Sequence, residues 1–195
     1  MCEVPVFYAT TEGQTRRIAE ALATHLGEAG IGSQAIDVTA AQATAFSWPR
    51  ARAVVLAASV HGGKHQREAE SFVRAHLNAF NGRPSVFVSV SLSICSVVTS
   101  EVDAARATAD RFPTQVGWKA GRVVCVAGRL AYTQYGWLKR FIMRRIAARS
   151  GGSTDTTRDH ELTDWSQVRA IAADLAADIA AGGRTVNEPS MRQAG

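Results

Sequence analysis

The sequence has few cysteines and no apolar run long enough to cross a membrane. Its three cysteines, Cys2, Cys95 and Cys125, are odd in number and lack metal-site spacing, which argues against a disulfide-stapled secreted domain. The longest uncharged window, residues 84–100, contains six serines and predicts a strand that runs into a loop. The chain begins without the basic-then-apolar pattern of a secretory signal. We therefore expect a cytoplasmic protein.

Acidic residues are missing from one long stretch of the chain. Nine of the 22 basic residues lie within residues 111–154, which contain no carboxylate, and this leaves 13 basic against 17 acidic residues elsewhere. The formal net charge of +5 is therefore concentrated in one segment. A concentrated positive segment favours an anionic partner over general surface adhesion.

The rest of the chain is organised around residues 8–15, Tyr-Ala-Thr-Thr-Glu-Gly-Gln-Thr. This stretch joins a short apolar run that contains Val4, Val6 and Phe7 to a helical pattern. A strand that turns at once into a helix gathers backbone N–H groups at the positive end of the helix dipole. The Walker and three-glycine dinucleotide signatures are both missing. The loop therefore predicts a site for one phosphate, with a threonine-rich helix cap that binds nothing as the alternative.

Strand, loop and helix then alternate along the chain. The remaining predicted strands cover residues 34–38, 53–59, 85–90 and 123–127. The first predicted helix covers residues 15–29, the second begins after residue 65 and ends at residue 80, and the third covers residues 100–112. The last runs from about residue 163 to the glycine pair at 182–183. Asp164 followed by Gln167 resembles a capping box at the start of the last helix. Five strands alternating with helices predict an α/β fold with a doubly wound parallel sheet and helices on both faces.

The length of the chain predicts a single domain over residues 1–181. Residues of about 130–162 are too many for an ordinary connection between the fifth strand and the last helix. We expect them to form a long insertion with its own helix. Residues 182–195 are polar and predict a disordered tail.

Two further loops leave the carboxyl ends of the strands, where doubly wound sheets bind their ligands. The loop of residues 59–65 contains Gly62 and Gly63, which form either an ordinary turn or a close backbone approach to a ligand. The next such loop begins at residue 91. The placement of these loops beside residues 10–15 predicts one shared ligand site.

Titratable side chains are few in the second loop. His61 and Lys64 are the nearest candidates for a catalytic acid or base, and polar loop residues without a chemical role are the alternative. His61 and His65 have a metal-like interval, but the two glycines between them argue against a helix that would bring them together. We therefore expect no metal.

Particular stretches resemble a known family. Residues 10–15, Thr-Thr-Glu-Gly-Gln-Thr, are similar to the phosphate loop of flavodoxin-like proteins. The sequence also resembles a narrower group, the menaquinone-dependent protoporphyrinogen IX dehydrogenases of haem synthesis. The similar stretches are residues 89–92, 127–130 and 132–141. The most specific ones are residues 150–156, Ser-Gly-Gly-Ser-Thr-Asp-Thr, and 163–165, Thr-Asp-Trp. The similarity runs from about residue 4 to residue 181. It implies a flavodoxin-like sheet in the order 2-1-3-4-5 and one non-covalently bound FMN.

The resemblance also implies which residues contact FMN. The phosphate would lie on residues 10–15, held by backbone N–H groups and hydroxyls, and the isoalloxazine ring would lie between the second and third loops. The implied contacts are Thr10, Thr11, Glu12, Gly13, Gln14, Thr15, Ser59, Val60, His61, Gly62, Gly63, Ser89, Val90, Ser91, Leu92, Ser93 and Gly128.

The implied function is an FMN-dependent oxidoreductase that takes electrons from protoporphyrinogen IX and passes them to a membrane quinone. The insertion would shape the substrate side of the flavin and contact the anionic substrate or the inner face of the cell membrane. The residues proposed for that contact are Tyr132, Trp137, Lys139, Arg140, Arg144 and Arg145. Aromatic and basic residues interleaved in this way also suit nucleic acid or a helix with a solvated basic face, but we expect no nucleic-acid partner.

Two other functions fit the same cofactor. An electron-carrier flavodoxin would have no substrate of its own, but such carriers are usually acidic, and this chain has a pI of about 9.6. An FMN-dependent quinone reductase-like protein would use the same fold on a different substrate.

Overall fold

The computed structural model describes residues 2–130 and 160–182. Within these residues the strands are β1 (Val4–Ala9), β2 (Ser33–Asp37), β3 (Val54–His61), β4 (Lys64–His65), β5 (Ser85–Ser91), β6 (Arg122–Ala127), β7 (Arg129–Leu130) and β8 (His160–Glu161). The helices are α1 (Gln14–Glu28), α2 (Ala41–Thr44), α3 (Arg67–Ala75), α4 (Leu77–Asn81), α5 (Thr99–Val116) and α6 (Trp165–Ala180), with short 3₁₀ turns at Trp48–Arg50 and Ser93–Cys95.

The main sheet has the strand order β2-β1-β3-β5-β6, with these five strands parallel to one another. Strands β5 and β6 are the fourth and fifth strands predicted from the sequence. The predicted doubly wound sheet in the order 2-1-3-4-5 is therefore confirmed. Its carboxyl edge carries the loops that follow β1, β3, β5 and β6.

Alternation along the central strands builds two hydrophobic cores. Val4, Val6 and Tyr8 of β1 face a core that α1 and α6 cover, whereas Phe7 and Ala9 face a core that α3, α4 and α5 cover. Successive side chains of a strand point to opposite faces, so a strand covered on both faces must be apolar throughout. This explains the continuous apolar runs of the sequence.

The second loop differs from its prediction because it is a β-hairpin. Strand β3 extends to His61, and β4 pairs with it antiparallel, with Val60 opposite His65 and His61 opposite Lys64. Gly62 and Gly63 connect the strands with φ of 57° and 74°. Two consecutive positive φ values define a type I′ turn, whose twist matches that of the paired strands.

The helix predicted as far as residue 80 is interrupted at His76. Its φ is −117°, and its N–H is shared between the carbonyls of Phe72 and Val73. The imidazole packs against the rings of Trp48 and Phe72, with centroid distances of 5.4 and 4.7 Å. Packing against the rings of Trp48 and Phe72 therefore accompanies the break in the helix at His76.

Helix α5 is longer than predicted, because it continues through Pro113 to Val116. It ends at Gly117, which has a φ of 79°, and the N–H of Trp118 reaches back to the carbonyl of Pro113 at 2.9 Å. This is the Schellman arrangement of a glycine-ended helix. A proline near the end of a helix is tolerated when its ring fits the preceding turn, and Pro113 is buried there.

The capping box predicted for the last helix is half present. The carboxylate of Asp164 accepts hydrogen bonds from the hydroxyl of Ser166 and from the N–H groups of Gln167 and Ser166, and these bonds lower the pKa of Asp164. The side chain of Gln167 instead donates to the carbonyl of Cys125 at 3.1 Å. Gln167 therefore ties α6 to the edge strand β6.

The ends of the predicted insertion meet in a small hairpin. Arg129 pairs with Glu161 and Leu130 pairs with His160, so the chain leaves and rejoins the domain at one place. Residues 131–159, with the predicted helix of the insertion, lie outside the described residues, as does most of the predicted tail.

Candidate cofactor site

The loop after β1 has the geometry of an anion cradle. Gly13 adopts a φ of 85° and donates its N–H to the hydroxyl of Thr10 at 3.0 Å. Helix α1 begins at the next residue, and no side chain caps its first turn. The first N–H groups of a helix have no intrahelical acceptor. They therefore gather at the mouth of this loop, where the helix dipole favours negative charge.

The hydroxyl of Thr15 lies in the first turn of α1 without a partner. Thr15 is 1% exposed, and its Oγ1 has no hydrogen-bond partner among the described residues. Buried polar atoms in proteins nearly always have a partner. An acceptor bound in the loop would supply the missing one.

Gly13 is required by its backbone angle. A Cβ built at Gly13 meets no protein atom within 4 Å, so no neighbouring protein atom demands a glycine there. A φ of 85° is unfavourable for any L-residue with a side chain, and most of all for a β-branched one. The glycine thus permits the turn that aims the N–H groups.

Gln14 turns its side chain away from the loop. Its amide nitrogen donates to Glu161 Oε1 at 2.7 Å and to Thr163 Oγ1 at 2.8 Å, and its oxygen accepts from Arg17 at 3.1 Å. Arg17 also forms an ion pair with Glu161 at 2.8 Å. Gln14 therefore offers only its backbone N–H to a ligand, while its amide attaches the chain that follows the insertion to α1.

The hairpin β3–β4 places its two candidate titratable residues side by side. His61 and Lys64 are opposite one another, so they share one face of the hairpin, and both are exposed. His65 pairs with Val60 and lies on the other face. His61 and His65 therefore do not converge, and no group of three or more His, Cys, Asp or Glu side chains in the described parts of the chain could hold a metal ion.

His65 is fixed beneath the hairpin. Its Nε2 lies 2.9 Å from the hydroxyl of Ser89, and its ring packs edge-on against Phe87 and Phe112, at centroid distances of 5.1 and 4.9 Å. Burial lowers the pKa of His65 to about 4. The imidazole is therefore neutral in the folded protein at neutral pH.

This burial predicts a loss of stability in mild acid. An unfolded histidine gains a proton below about pH 6.5, whereas folded His65 stays neutral until about pH 4, so protonation favours the unfolded chain between these values. We expect the wild type to lose up to roughly 3 kcal/mol of unfolding free energy relative to His65→Phe across this window. Urea unfolding of both proteins at several pH values measures the difference, and a difference that does not change with pH would contradict the expectation.

Two of the residues assigned to the third loop lie inside a strand. Ser89 and Val90 lie inside β5 and are 1% and 3% exposed, so their side chains belong to the sheet interior. Ser91 ends the strand, and its carbonyl accepts from the N–H of Gly128 at 3.3 Å. Leu92 and Ser93 follow at the carboxyl edge. The structure thus places Gly128 beside the third loop, with Leu92, Ser93 and the backbone as the accessible parts.

Two sets of residues in this region were not predicted as part of the site. Gln66 hydrogen-bonds to Ser59 of the second loop and lies 3.5 Å from the hydroxyl of Thr11 in the first. Thr163 donates to the carbonyl of Ala127 at 2.8 Å, next to Glu161 and Gln14. The only sequence signal for Gln66 was its place directly after the second loop. Thr163 lies in a stretch that resembles the family, but the resemblance assigned it no role.

The chain matches the flavodoxin domain model over residues 5–157. It belongs to the flavodoxin family. It is 33% identical over 171 residues to the protoporphyrinogen IX dehydrogenase (quinone) of Escherichia coli K12, a match that covers 88% of this chain and 93% of that protein. A Leishmania major protein of the same name is 29% identical over 177 residues, which cover 88% of this chain and 74% of that protein.

Solved flavodoxin structures share the fold. A flavodoxin from the domain Archaea superposes with a TM-score of 0.52 at 13% identity, over 91% of this chain and 98% of its own. A Streptococcus pneumoniae flavodoxin superposes with a TM-score of 0.52 at 16% identity, over 92% of this chain and 98% of its own. Identities this low establish the architecture alone.

Membership of this family indicates FMN as the cofactor and a flavodoxin-like oxidoreductase as the class of enzyme, as the sequence predicted. The loop after β1 fits the FMN phosphate. It has an uncapped helix N-terminus, a glycine at positive φ and an unpartnered buried hydroxyl at Thr15.

The sequence predicts that the insertion contacts a membrane or the substrate and that no segment crosses a membrane. The contact residues predicted in the insertion, Tyr132, Trp137, Lys139, Arg140, Arg144 and Arg145, lie outside the described residues. Within the described residues, the helices are all too short or too polar to cross a bilayer.

Proposed function

We propose that this protein oxidises protoporphyrinogen IX to protoporphyrin IX, with FMN as the electron carrier and a quinone as the final acceptor, in haem biosynthesis. The observation that carries the proposal is the 33% identity to a protoporphyrinogen IX dehydrogenase (quinone) across 88% of the chain. A match of this length includes the cofactor loops together with the return strand after the insertion. It therefore favours a shared reaction over a shared scaffold alone.

The FMN phosphate is assigned to residues 10–15. The N–H groups of the first turn of α1 would hold this doubly charged anion, together with the hydroxyls of Thr10, Thr11 and Thr15. Thr10 accepts from the N–H of Gly13, so its own hydroxyl proton can be donated to a second acceptor. The isoalloxazine ring is assigned to the space between residues 59–63 and 89–93, next to Gly128.

FMN supplies the redox chemistry when bound, accepting electrons from the substrate and giving them to a quinone. The protein holds and orients it. His61 and Lys64 are the titratable side chains at the tip of the hairpin, exposed and adjacent. They are the candidates for exchanging protons with water during substrate oxidation.

The carboxyl edge of the sheet also has an apolar surface suited to a quinone or a membrane. Val97, Val98 and Leu162 are the large hydrophobic residues that are exposed among those described, at 74%, 36% and 36%. Val97 and Val98 follow the third loop, and Leu162 donates its N–H to the carbonyl of Gly128. The third loop follows β5 and Gly128 follows β6, so the three residues belong to the edge that carries the cofactor loops, and their exposure supports quinone access there. The basic residues of the insertion supply charge for the substrate's propionates.

The proposal is tested by anaerobic reduction of the FMN-loaded protein. Protoporphyrinogen IX is expected to bleach the flavin absorbance faster than a NADPH-dependent flavodoxin reductase does, and added menadione is expected to restore it.

Replacing Val97 and Val98 with serine should slow reoxidation by a lipid-embedded quinone more than reoxidation by water-soluble menadione. Reduction by the reductase with no reaction toward protoporphyrinogen would instead show an electron carrier.

A further inference from the structure

Gln66 connects two of the cofactor loops. It follows the hairpin and precedes α3, so the reversal of the chain returns it to the start of the second loop. Its Nε2 donates to the hydroxyl of Ser59, seven residues earlier, and lies 3.5 Å from the hydroxyl of Thr11, 55 residues away. One side chain therefore spans the phosphate loop and the hairpin.

The orientation of these contacts affects the two hydroxyls. An amide N–H can only donate, so Ser59 and Thr11 accept from Gln66. A hydroxyl that accepts in this way directs its own proton elsewhere. Each of the two hydroxyls can therefore donate its own proton to a second acceptor.

The other end of the amide supports the same conclusion. Gln66 Oε1 is buried without a hydrogen-bond partner among the described residues, as is Thr15 Oγ1 in the first turn of α1. Both atoms belong to residues at the carboxyl edge of the sheet. Two buried polar atoms without partners at this edge indicate a site completed by a polar ligand.

We propose that Gln66 is a positioning residue for FMN, which fixes the phosphate loop relative to the flavin-side hairpin and orients the hydroxyls of Thr11 and Ser59. The inference rests on the FMN site proposed above. Because Gln66 touches both loops, its loss weakens the hold on the phosphate and on the ring together. Thr15, in contrast, acts on the phosphate alone.

The test compares FMN with riboflavin, which lacks the phosphate, by quenching of flavin fluorescence in apoprotein titrations. Gln66→Met keeps the length of the side chain and removes the amide. It is expected to weaken both ligands by about tenfold, since each hydrogen bond contributes a few-fold to tenfold. The same change at exposed Gln115, on the far end of α5, is the control and should alter neither affinity.

A double-mutant cycle with Ser59→Ala separates positioning from simple space filling. If Gln66 acts partly through the Ser59 hydroxyl and partly through that of Thr11, Gln66→Met has a smaller effect in the Ser59→Ala protein than in the wild type. Additive effects, or unchanged affinities in Gln66→Met, would overturn the proposal. Should Gln66→Met fail to fold, Gln66→Leu makes the same comparison, because it lacks the N–H donor and adds no charge. A wild-type protein that binds no FMN would overturn the proposed cofactor site itself. That result is distinct from additive effects and from unchanged affinities in Gln66→Met.

Discussion

Replacing Phe7 with alanine is expected to lower the free energy of unfolding by about 3–5 kcal/mol. Phe7 is fully buried in β1, at the centre of an aromatic cluster. The centroid of its ring lies 4.5 Å from the ring centroid of Phe72 and 5.5 Å from the ring centroids of Phe46 and Trp48. The substitution removes these contacts and leaves a cavity that a sheet covered on both faces cannot easily close. Chemical denaturation of the apoprotein measures the change.

The effect is large because whole domains are stable by only about 5–15 kcal/mol. Phe7→Leu, which keeps part of the apolar volume, should lose distinctly less and serves if the alanine variant does not fold. Val97→Ala is the control, since Val97 is 74% exposed and should change stability by less than about 0.5 kcal/mol. A loss below about 1 kcal/mol in Phe7→Ala would show that the cluster does not hold β1 in place.

Thr15→Val is expected to weaken FMN binding by about 10- to 100-fold without destabilising the apoprotein. The two side chains have nearly the same shape, but valine lacks the hydroxyl. A hydrogen bond to a charged group contributes about 1.5–3 kcal/mol, which corresponds to this range of affinity. The apoprotein loses only a buried hydroxyl without a partner, so its stability should stay the same or increase.

Riboflavin provides the internal control for this prediction. It has no phosphate, so its affinity should be equal in the wild type and in Thr15→Val. Thr15→Ser keeps the hydroxyl and should retain most of the FMN affinity. Equal losses for FMN and riboflavin would mean that Thr15 supports the loop without contacting the phosphate.

Sequence patterns were sufficient for the sheet and for the position of the phosphate loop. Periodicity distinguishes a buried strand from an amphipathic helix, and the order of elements then limits the possible sheets. The hydroxyl-rich turn was visible because strand, loop and helix N-terminus are consecutive in the chain. Gly13 was identified for the same reason, and its φ of 85° explains why a glycine occupies this position.

Local patterns were less informative about shape within the loops. The hairpin at Gly62 and Gly63 was predicted only as a turn, because two glycines permit many conformations and the pairing of β3 with β4 selects one. The break at His76 has no sequence signal, since histidine is compatible with a helix. It arises from packing against Trp48 and Phe72.

The sequence by itself determined the α/β architecture, the strand order through its family resemblance, and the position of the loops at the edge of the sheet to which the cofactor is assigned. Only the tertiary structure decided which side chains are available there. The side chain of Gln14 hydrogen-bonds to Glu161, 147 residues away, and that of Ser89 hydrogen-bonds to His65, 24 residues away. The side chain of Gln66 joins two loops. Hydrogen bonds depend on distances of about 3 Å between groups that folding brings together, and sequence spacing carries no record of such long-range pairs.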